Sequence, residues 1–332
     1  MKINKFNFNL EKKSYIIAEI GINHEGSLNK ALSLIKSAKK CGANAVKFQF
    51  FKAPDLYLSK DKNFKIVKNF ELSPSSLIKL RKYSKKNKID FICTPFSLEG
   101  ANLLKKIRVD AIKIASMDNN NYILIDHCLK YKKPIIVSTG MMNLKDLKKF
   151  FKIYKKNLHK FIILHCLSSY PTNKEDSNLV IIDFLRNFFK KKAVIGYSDH
   201  TLGLEASKIA ITRGARVIEK HFTFDNTIKK YDHVHSMNNM ELKELVNFSN
   251  VYSNILGSHA FLQKRGDEKN RKYFRRGFYA IKALSSGMKF NKSNTTFVRP
   301  ANSEKIDIEK KLLKKRAKNN IKPWKQIKKN HF

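Results

Sequence analysis

Gly196-Tyr197-Ser198-Asp199-His200-Thr201, with its echo Glu219-Lys220-His221-Phe222-Thr223, decides how this 332-residue chain is read. In each case a short apolar run, Ala193-Val194-Ile195 or Val217-Ile218, carries the chain inward, and a histidine flanked by charged groups stands where the run ends. Two imidazoles at neighbouring strand ends can face one point. Imidazole suits zinc, iron and manganese, and a catalytic metal keeps positions free for substrate. The pair therefore reads either as a divalent-metal site or as two hydrogen-bonded histidines near the core.

Outward from that pair, apolar, β-branched runs recur at 15–20, 45–50, 90–94, 111–115, 134–139, 161–166, 194–198 and 216–221. Helical spacing falls at 28–40, 74–86, 98–106, 122–132, 144–156, 180–190, 204–213 and 240–255. Ser27 and Ser73 are candidate N-caps, Pro74 fits a first helical turn, and Gly42 and Gly214 are candidate stops. Alternation of strand and helix with right-handed crossovers predicts a parallel sheet closed on itself, a (β/α)8 TIM barrel of about 250 residues. An open doubly wound sheet is the competitor, but Gly21-Ile22-Asn23-His24-Glu25-Gly26 lacks its Gly-x-Gly-x-x-Gly turn.

The rhythm breaks after residue 256. A polar linker is expected over 257–270, and 271–332 reads as a small separate unit with strand-like pieces at 277–283 and 295–299 and a lysine-heavy stretch at 308–318. Sixty or so residues bury little core, so this unit is expected to dock on something.

The formal charge of +41 taken alone suggests nucleic acid or an anionic surface. The lysines are spread over nearly every predicted helix, however, and no basic motif interleaved with aromatic residues appears. A solvated lysine coat that attracts anionic substrates is the plainer reading, with no specific nucleic acid. No apolar run is long enough to span a membrane, and residues 1–13 lack the apolar segment of a secretory signal, so a cytoplasmic address is expected. Cys41, Cys93, Cys128 and Cys166 have no short spacing and read as free thiols.

Catalytic side chains of such barrels come from the carboxyl ends of the strands. Those ends offer Glu19 with Asn23, His24 and Glu25; Lys47 and Gln49; Thr94; Lys113, Ser116 and Asp118; Ser138; and His165, Ser168 and Tyr170. A lysine within a strand of a lysine-rich protein can face outward. Two of them, with hydroxyls on the intervening strands, argue for an anion cradle in which lysine acts as a point charge for phosphate. Glu19 and Glu25 read equally as helix caps or lysine partners, and neither His24 nor His165 is assigned a proton-transfer role.

Ala18-Glu19-Ile20-Gly21-Ile22-Asn23-His24-Glu25-Gly26, Val46-Lys47-Phe48-Gln49, Thr94-Pro95-Phe96, Lys113-Ile114-Ala115-Ser116, Ser138-Thr139-Gly140-Met141, His165-Cys166 and the two opening motifs together resemble the sialic acid synthase family. That family condenses phosphoenolpyruvate with an N-acylated hexosamine in a metal-dependent reaction. The resemblance implies a C-terminal antifreeze-like (SAF) domain over about 271–332, swapped onto the partner barrel in a homodimer. It implies a manganese-type ion, with magnesium or cobalt as alternatives, held by His200 and His221 rather than by His233 or His235. It matches Lys47, Thr94, Lys113, Ser116 and Ser138 to the phosphoenolpyruvate cradle and Arg299 to the N-acyl group. Glu19, Asp118, Tyr170 and Asp232 match positions near the metal or the acceptor, with Glu19 or Asp118 handling the attacking water.

The chain departs from the family where Lys230-Tyr231 replaces the usual Gly-Pro before Asp232, where Ala115 and Met117 replace glycines, and where Ala301-Asn302 replaces Gly-Asn. The rival expectations are another phosphoenolpyruvate-dependent aldol synthase, of the 3-deoxy-octulosonate phosphate type, and a basic nucleic-acid-binding protein.

Overall fold

The computed structural model describes residues 1–257, 267, 270, 273–301 and 312–332. It divides into two compact units, Met1–Gly257 and Ser258–Phe332. The expected linker falls almost wholly outside the described residues, as do Asn302 and the first part of the lysine-heavy stretch.

The first unit is a closed barrel of eight parallel strands in sequence order. They are β1 (Tyr15–Gly21), β2 (Ala45–Phe50), β3 (Asp90–Pro95), β4 (Ala111–Ile114), β5 (Ile135–Ser138), β6 (Phe161–Cys166), β7 (Val194–Asp199) and β8 (Val217–His221). The expected (β/α)8 barrel is borne out. Around it run α1 (Leu28–Lys40), α2 (Pro74–Lys86), α3 (Leu98–Ile107), α4 (Tyr122–Leu129), α5 (Leu144–Tyr154), α6 (Ile181–Phe188), α7 (Glu205–Thr212) and α8 (Asn239–Leu256). Local chemistry sets their ends. The Ser27 and Ser73 hydroxyls accept from the backbone N–H groups of Lys30 and Ser76, Pro74 opens α2, and Gly42 and Gly214 take φ of +92° and +90° just past α1 and α7.

Strand periodicity sorts the barrel into two environments. Ile16, Ala18, Val46, Phe48, Phe91, Ile112, Ile163 and Ile218 face the helices and join one large buried cluster. Their neighbours Tyr15, Ile17, Ala45, Ile92, Ala111, Ile136, Ile162 and Val217 face inward and form a second cluster with Ile3, Phe6 and Phe8. Ile3 and Phe6 come from an N-terminal hairpin, Lys2–Ile3 paired with Phe6–Asn7, that sequence patterning did not announce, and Phe8 follows it directly. Phe6 stands edge-on to Tyr15 with ring centres 5.0 Å apart. Burying a side chain of this size contributes about 1.5–3 kcal/mol, and the hairpin thereby stoppers the amino-terminal end of the barrel.

Two further short helices, Ala53–Leu56 and Lys62–Lys68, extend the loop between β2 and α2. The second unit pairs β9 (Gly277–Ala280) antiparallel with β10 (Thr295–Val298). It buries Phe278, Ala280, Leu284, Phe290, Leu312, Ala317, Ile321 and Ile327, a small core of its own.

Candidate active site

Two residues further along each strand, the inward positions turn from apolar to polar and charged. Glu19 of β1 is register partner to Lys47 of β2, and His221 of β8 is partner to Glu19. Continuing the inward series gives Gln49, Thr94, Lys113, Ser138, Cys166, Ser198 and Glu219, all lining one cavity with Ser116, Tyr170, His200 and His221. Period two thus decides the orientation of both strand lysines: Lys47 and Lys113 point into the barrel and are buried.

The charges interlock. Lys47 Nζ lies 2.9 Å from Glu19 Oε2 and 3.7 Å from Glu219 Oε1, and Lys113 Nζ lies 3.6 Å from Glu219 Oε1. Lys113 donates to Ser138 Oγ at 2.7 Å, Lys47 to Thr94 Oγ1 at 3.5 Å, and Ser198 Oγ to Glu219 Oε1 at 3.0 Å. Gln49 Nε2 donates to Glu19 Oε1 at 3.1 Å. Burial pushes Glu19 up to about 7, with the Glu219 charge adding to it and Lys47 opposing. Glu219 feels the same burial, but Lys113 and Lys47 outweigh it and hold this carboxyl below its ordinary value. Burial lowers Lys113. Two ammonium groups and three hydroxyls in a low-dielectric cleft form a receptor for a multiply charged anion.

Gly140 belongs to this cradle through its missing side chain. A Cβ there would stand 2.5 Å from both Ser116 Oγ and Ser168 Oγ, so only glycine lets the β5 loop pass between those hydroxyls. Asn119 pins the same loop by donating to the Ser138 and Gly140 carbonyls at 3.2 and 2.8 Å.

Beside the cradle is a cluster of imidazoles. His221 Nδ1 stands 3.4 Å from Asp232 Oδ2 and His235 Nε2 stands 3.9 Å from Asp232 Oδ1. Donor atoms of the three residues lie within 4.8 Å of one another, an arrangement that can hold a metal ion. His221 Nδ1 and both His235 ring nitrogens are buried without a hydrogen-bond partner. Burial holds His221 well below the ordinary imidazole value and His235 down to about 4, leaving both neutral with lone pairs for a cation. Burial raises Asp232 to about 6. Orphaned nitrogens beside a carboxylate are the donor set a borderline divalent ion needs, so the residues fit the metal that the resemblance implies.

His200 stands at the edge of this cluster, its ring centre 5.6 Å from that of His221. Its Nδ1 is 2.7 Å from the Leu167 carbonyl. Burial would lower it, but a hydrogen bond with Cys166 raises it. Tyr170 covers the group, ring centres 4.3 Å from His200 and 5.5 Å from His235. Behind His200 and His221, the outward-facing Asp199 and Lys220 form a buried ion pair at 3.1 Å. Lys220 Nζ also donates to the Thr201 carbonyl at 2.6 Å, tying the ends of β7 and β8 together.

Other residues singled out in the sequence go elsewhere. Asp118 sits half-buried on the turn Ser116–Asp118, accepts from Asn121 at 3.2 Å and does not line the cavity. His24 Nδ1 accepts from the Gly26 N–H, and His165 faces outward with Nε2 2.7 Å from the Ser177 carbonyl. Glu25 pairs with Lys30 at 2.9 Å and with His233 at 3.0 Å. Arg299 belongs to the second unit, where its guanidinium stacks on Phe274 at 5.2 Å. The sequence assigned no role to Glu219 or Ser198, and the resemblance set His235 aside as a ligand. The first two were legible from period two on β7 and β8, whereas His235 lies on a loop, where no period applies.

A parallel barrel with buried lysines and an imidazole–carboxylate cluster at the carboxyl ends of its strands is the frame of a metal-assisted enzyme acting on anionic substrates. The chain belongs to the NeuB family, whose model matches residues 34–260. The N,N'-diacetyllegionaminic acid synthase of Campylobacter jejuni is 35% identical over 328 residues, covering 94% of this chain and 98% of its own. The pseudaminic acid synthase of the same organism is 36% identical over 341 residues, 98% of each chain. Among solved structures, the N-acetylneuraminic acid synthetase of Leptospira borgpetersenii, crystallised with citrate, superposes with a TM-score of 0.73 at 36% identity, covering 78% of this chain and 90% of that one. The resemblance to the sialic acid synthases is therefore one of family.

Proposed function

We propose that this chain is a nonulosonic acid synthase, a transferase that condenses phosphoenolpyruvate with N-acetylmannosamine or a related N-acyl hexosamine and water. The products are N-acetylneuraminate or a related nonulosonate and inorganic phosphate. The observation that carries the reading is the placement of the Lys47–Lys113 cradle next to the His221–Asp232–His235 cluster in one barrel mouth.

Lys47 and Lys113 hold the phosphate and carboxylate of phosphoenolpyruvate, with Thr94, Ser116 and Ser138 completing the hydrogen bonds. The bound enol is thereby set facing the aldehyde of the open-chain sugar. A divalent ion bound by His221 and its neighbouring imidazoles and carboxylate, manganese or alternatively magnesium or cobalt, supplies Lewis-acid polarisation of that aldehyde. A bond forms between the enol methylene carbon and the aldehyde carbon as the aldehyde's C=O π bond breaks, and the resulting alkoxide takes a proton from solvent to become a hydroxyl. Water then adds to the resulting cationic carbon and passes its proton to Glu19, which Gln49 orients. Of the two carboxylates weighed for this step, Glu19 lines the cavity and titrates near neutrality. The tetrahedral adduct expels phosphate into the lysine cradle with cleavage of its C–O bond. Tyr170 and Asp232 lie where the sugar enters. In the same reading, residues 271–332 are the antifreeze-like domain of a swapped homodimer and bring Arg299 to the N-acyl group of the acceptor.

The test is phosphate release from phosphoenolpyruvate with a panel of acceptors: N-acetylmannosamine, its 6-phosphate, diacetamido-trideoxyhexoses and a phosphorylated pentose. Release with a hexosamine, abolished by chelator and restored by manganese, is expected. Full activity in chelator, or activity with the pentose alone, overturns the reading.

A further inference from the structure

The loop after β8 brings a third imidazole to the metal cluster. Phe222 N–H donates to the Glu19 carbonyl at 2.7 Å, Met237 N–H to the His221 carbonyl at 2.7 Å, and Thr223 N–H to the Met237 carbonyl at 2.9 Å. The chain thus leaves the barrel and returns to the strand it left, with residues 224–236 as the excursion. Inside it, Ser236 Oγ donates to the Asp232 carbonyl and accepts from Asn23 Nδ2 at 2.9 Å. These bonds seat His235 between Tyr170 and His221, its ring centre 4.8 Å from that of His221. Tyr231, where the family usually has proline, takes φ +52° and packs edge-on against Phe70. Proline cannot adopt that angle, so the excursion follows its own path in this chain.

We infer that His235 is a ligand of the metal centre, joining His221 and Asp232, an assignment that rests on the metal-dependent reading above. Among the described residues no hydrogen-bond partner reaches either ring nitrogen of His235, although the side chain is almost fully buried. A histidine with a structural role donates or accepts through at least one nitrogen, as His24, His165 and His233 do here. His235 does neither, and a carboxylate shared with a second orphaned imidazole stands beside it. Two ligands about 2.1 Å from an ion at tetrahedral angles are about 3.4 Å apart, which is the separation of His221 Nδ1 and Asp232 Oδ2. His200 stands beside them with its ring centre 5.6 Å from that of His221, and its Nδ1 donates to the Leu167 carbonyl at 2.7 Å, the outer-shell bond that orients a ligating imidazole. With His200 and His221 at the same point, His235 makes the centre richer in nitrogen than that pair alone, and such a set tilts selection from magnesium toward later transition metals.

The experiment uses the full-length chain stripped with chelator and titrated with Co2+, read by calorimetry and by visible ligand-field absorption rather than by turnover. Three variants accompany it: His235→Ala, His235→Phe and His221→Ala. Because neither nitrogen of His235 is bonded to protein, phenylalanine fills the same space without breaking a contact, and His235→Phe is expected to fold like the parent by circular dichroism. Loss of a direct ligand should exceed the roughly 10–100-fold cost of losing an outer-shell partner. Both His235 variants should therefore weaken Co2+ binding by about 100-fold or more and alter the absorption bands. If His221→Ala abolishes binding while both His235 variants keep parental affinity and spectrum, the inference fails and the proposed function stands. If the parent chain binds no Co2+, the metal reading itself fails.

Discussion

Lys113 Nζ stands 3.6 Å from Glu219 Oε1, both groups buried, and the same carboxylate oxygen is 3.7 Å from Lys47. One carboxylate therefore separates two ammonium groups that would otherwise face each other. Breaking a buried pair by removing one partner costs about 3–5 kcal/mol. Glu219→Gln is expected to lose about 3 kcal/mol in denaturant unfolding, and added phosphate should recover part of the loss by supplying the missing negative charge. A loss equal with and without phosphate would mean that the two lysines do not form an anion cradle.

Activity should carry an acid limb from Glu19. Burial and the Glu219 charge raise this carboxyl to about 7, so the proton-accepting form is gained as pH rises through that region and lost as pH falls. A bound cation draws the value down. The limb in kcat/KM for phosphoenolpyruvate is expected between the ordinary glutamate value of about 4.3 and 7. Glu19→Gln should remove the limb along with most of the activity; an unchanged profile in this variant assigns the proton to another group.

Lys220 is buried against Asp199, and each immediately precedes a histidine of the opening motifs. Lys220→Met leaves Asp199 as an uncompensated charge behind the cluster. A stability loss of about 3–5 kcal/mol is expected in urea, together with weaker Co2+ binding because the two strand ends are no longer tied. Parental metal affinity in a destabilised but folded variant would confine Lys220 to a structural role.

Gly21 takes φ +51°, and a Cβ there would stand 3.2 Å from both Asp232 Oδ2 and His221 Cε1. Left-handed backbone costs a non-glycine residue about 1–2 kcal/mol. Gly21→Ala should lower stability by about that amount and push the two candidate ligands apart. Metal affinity should fall more than the midpoint of unfolding alone accounts for, as calorimetry on the folded variant would record.

The eight strands and eight helices were legible because each repeats a local signal: a β-branched run, a spacing of 3.6, a serine cap or a closing glycine. Lys47 and Lys113 were legible as candidates from their chemistry, but their direction needed the register that places Glu19 beside Lys47. Glu219 went unread because a carboxylate inside an apolar strand gains meaning only once both lysines are known to face it. His235 lies outside any period, and its position depends on backbone bonds from Met237 to His221 and from Phe222 to Glu19, partners far apart in sequence. The hairpin formed by residues 2–7 is too short for alternation to reveal, and tertiary burial of Ile3, Phe6 and Phe8 makes it.

That hairpin governs traffic. Among the described residues, the aromatic side chains at the hairpin stopper one end of the barrel, and the cavity lies toward the carboxyl ends of the strands. The anion cradle lies on the inner walls and the imidazole cluster nearer the open end, so the proposed function carries an order with it: the phosphorylated substrate is expected to enter before the sugar. A dead-end sugar analogue should then trap phosphoenolpyruvate already inside rather than compete with it, a pattern of uncompetitive inhibition that steady-state kinetics can read.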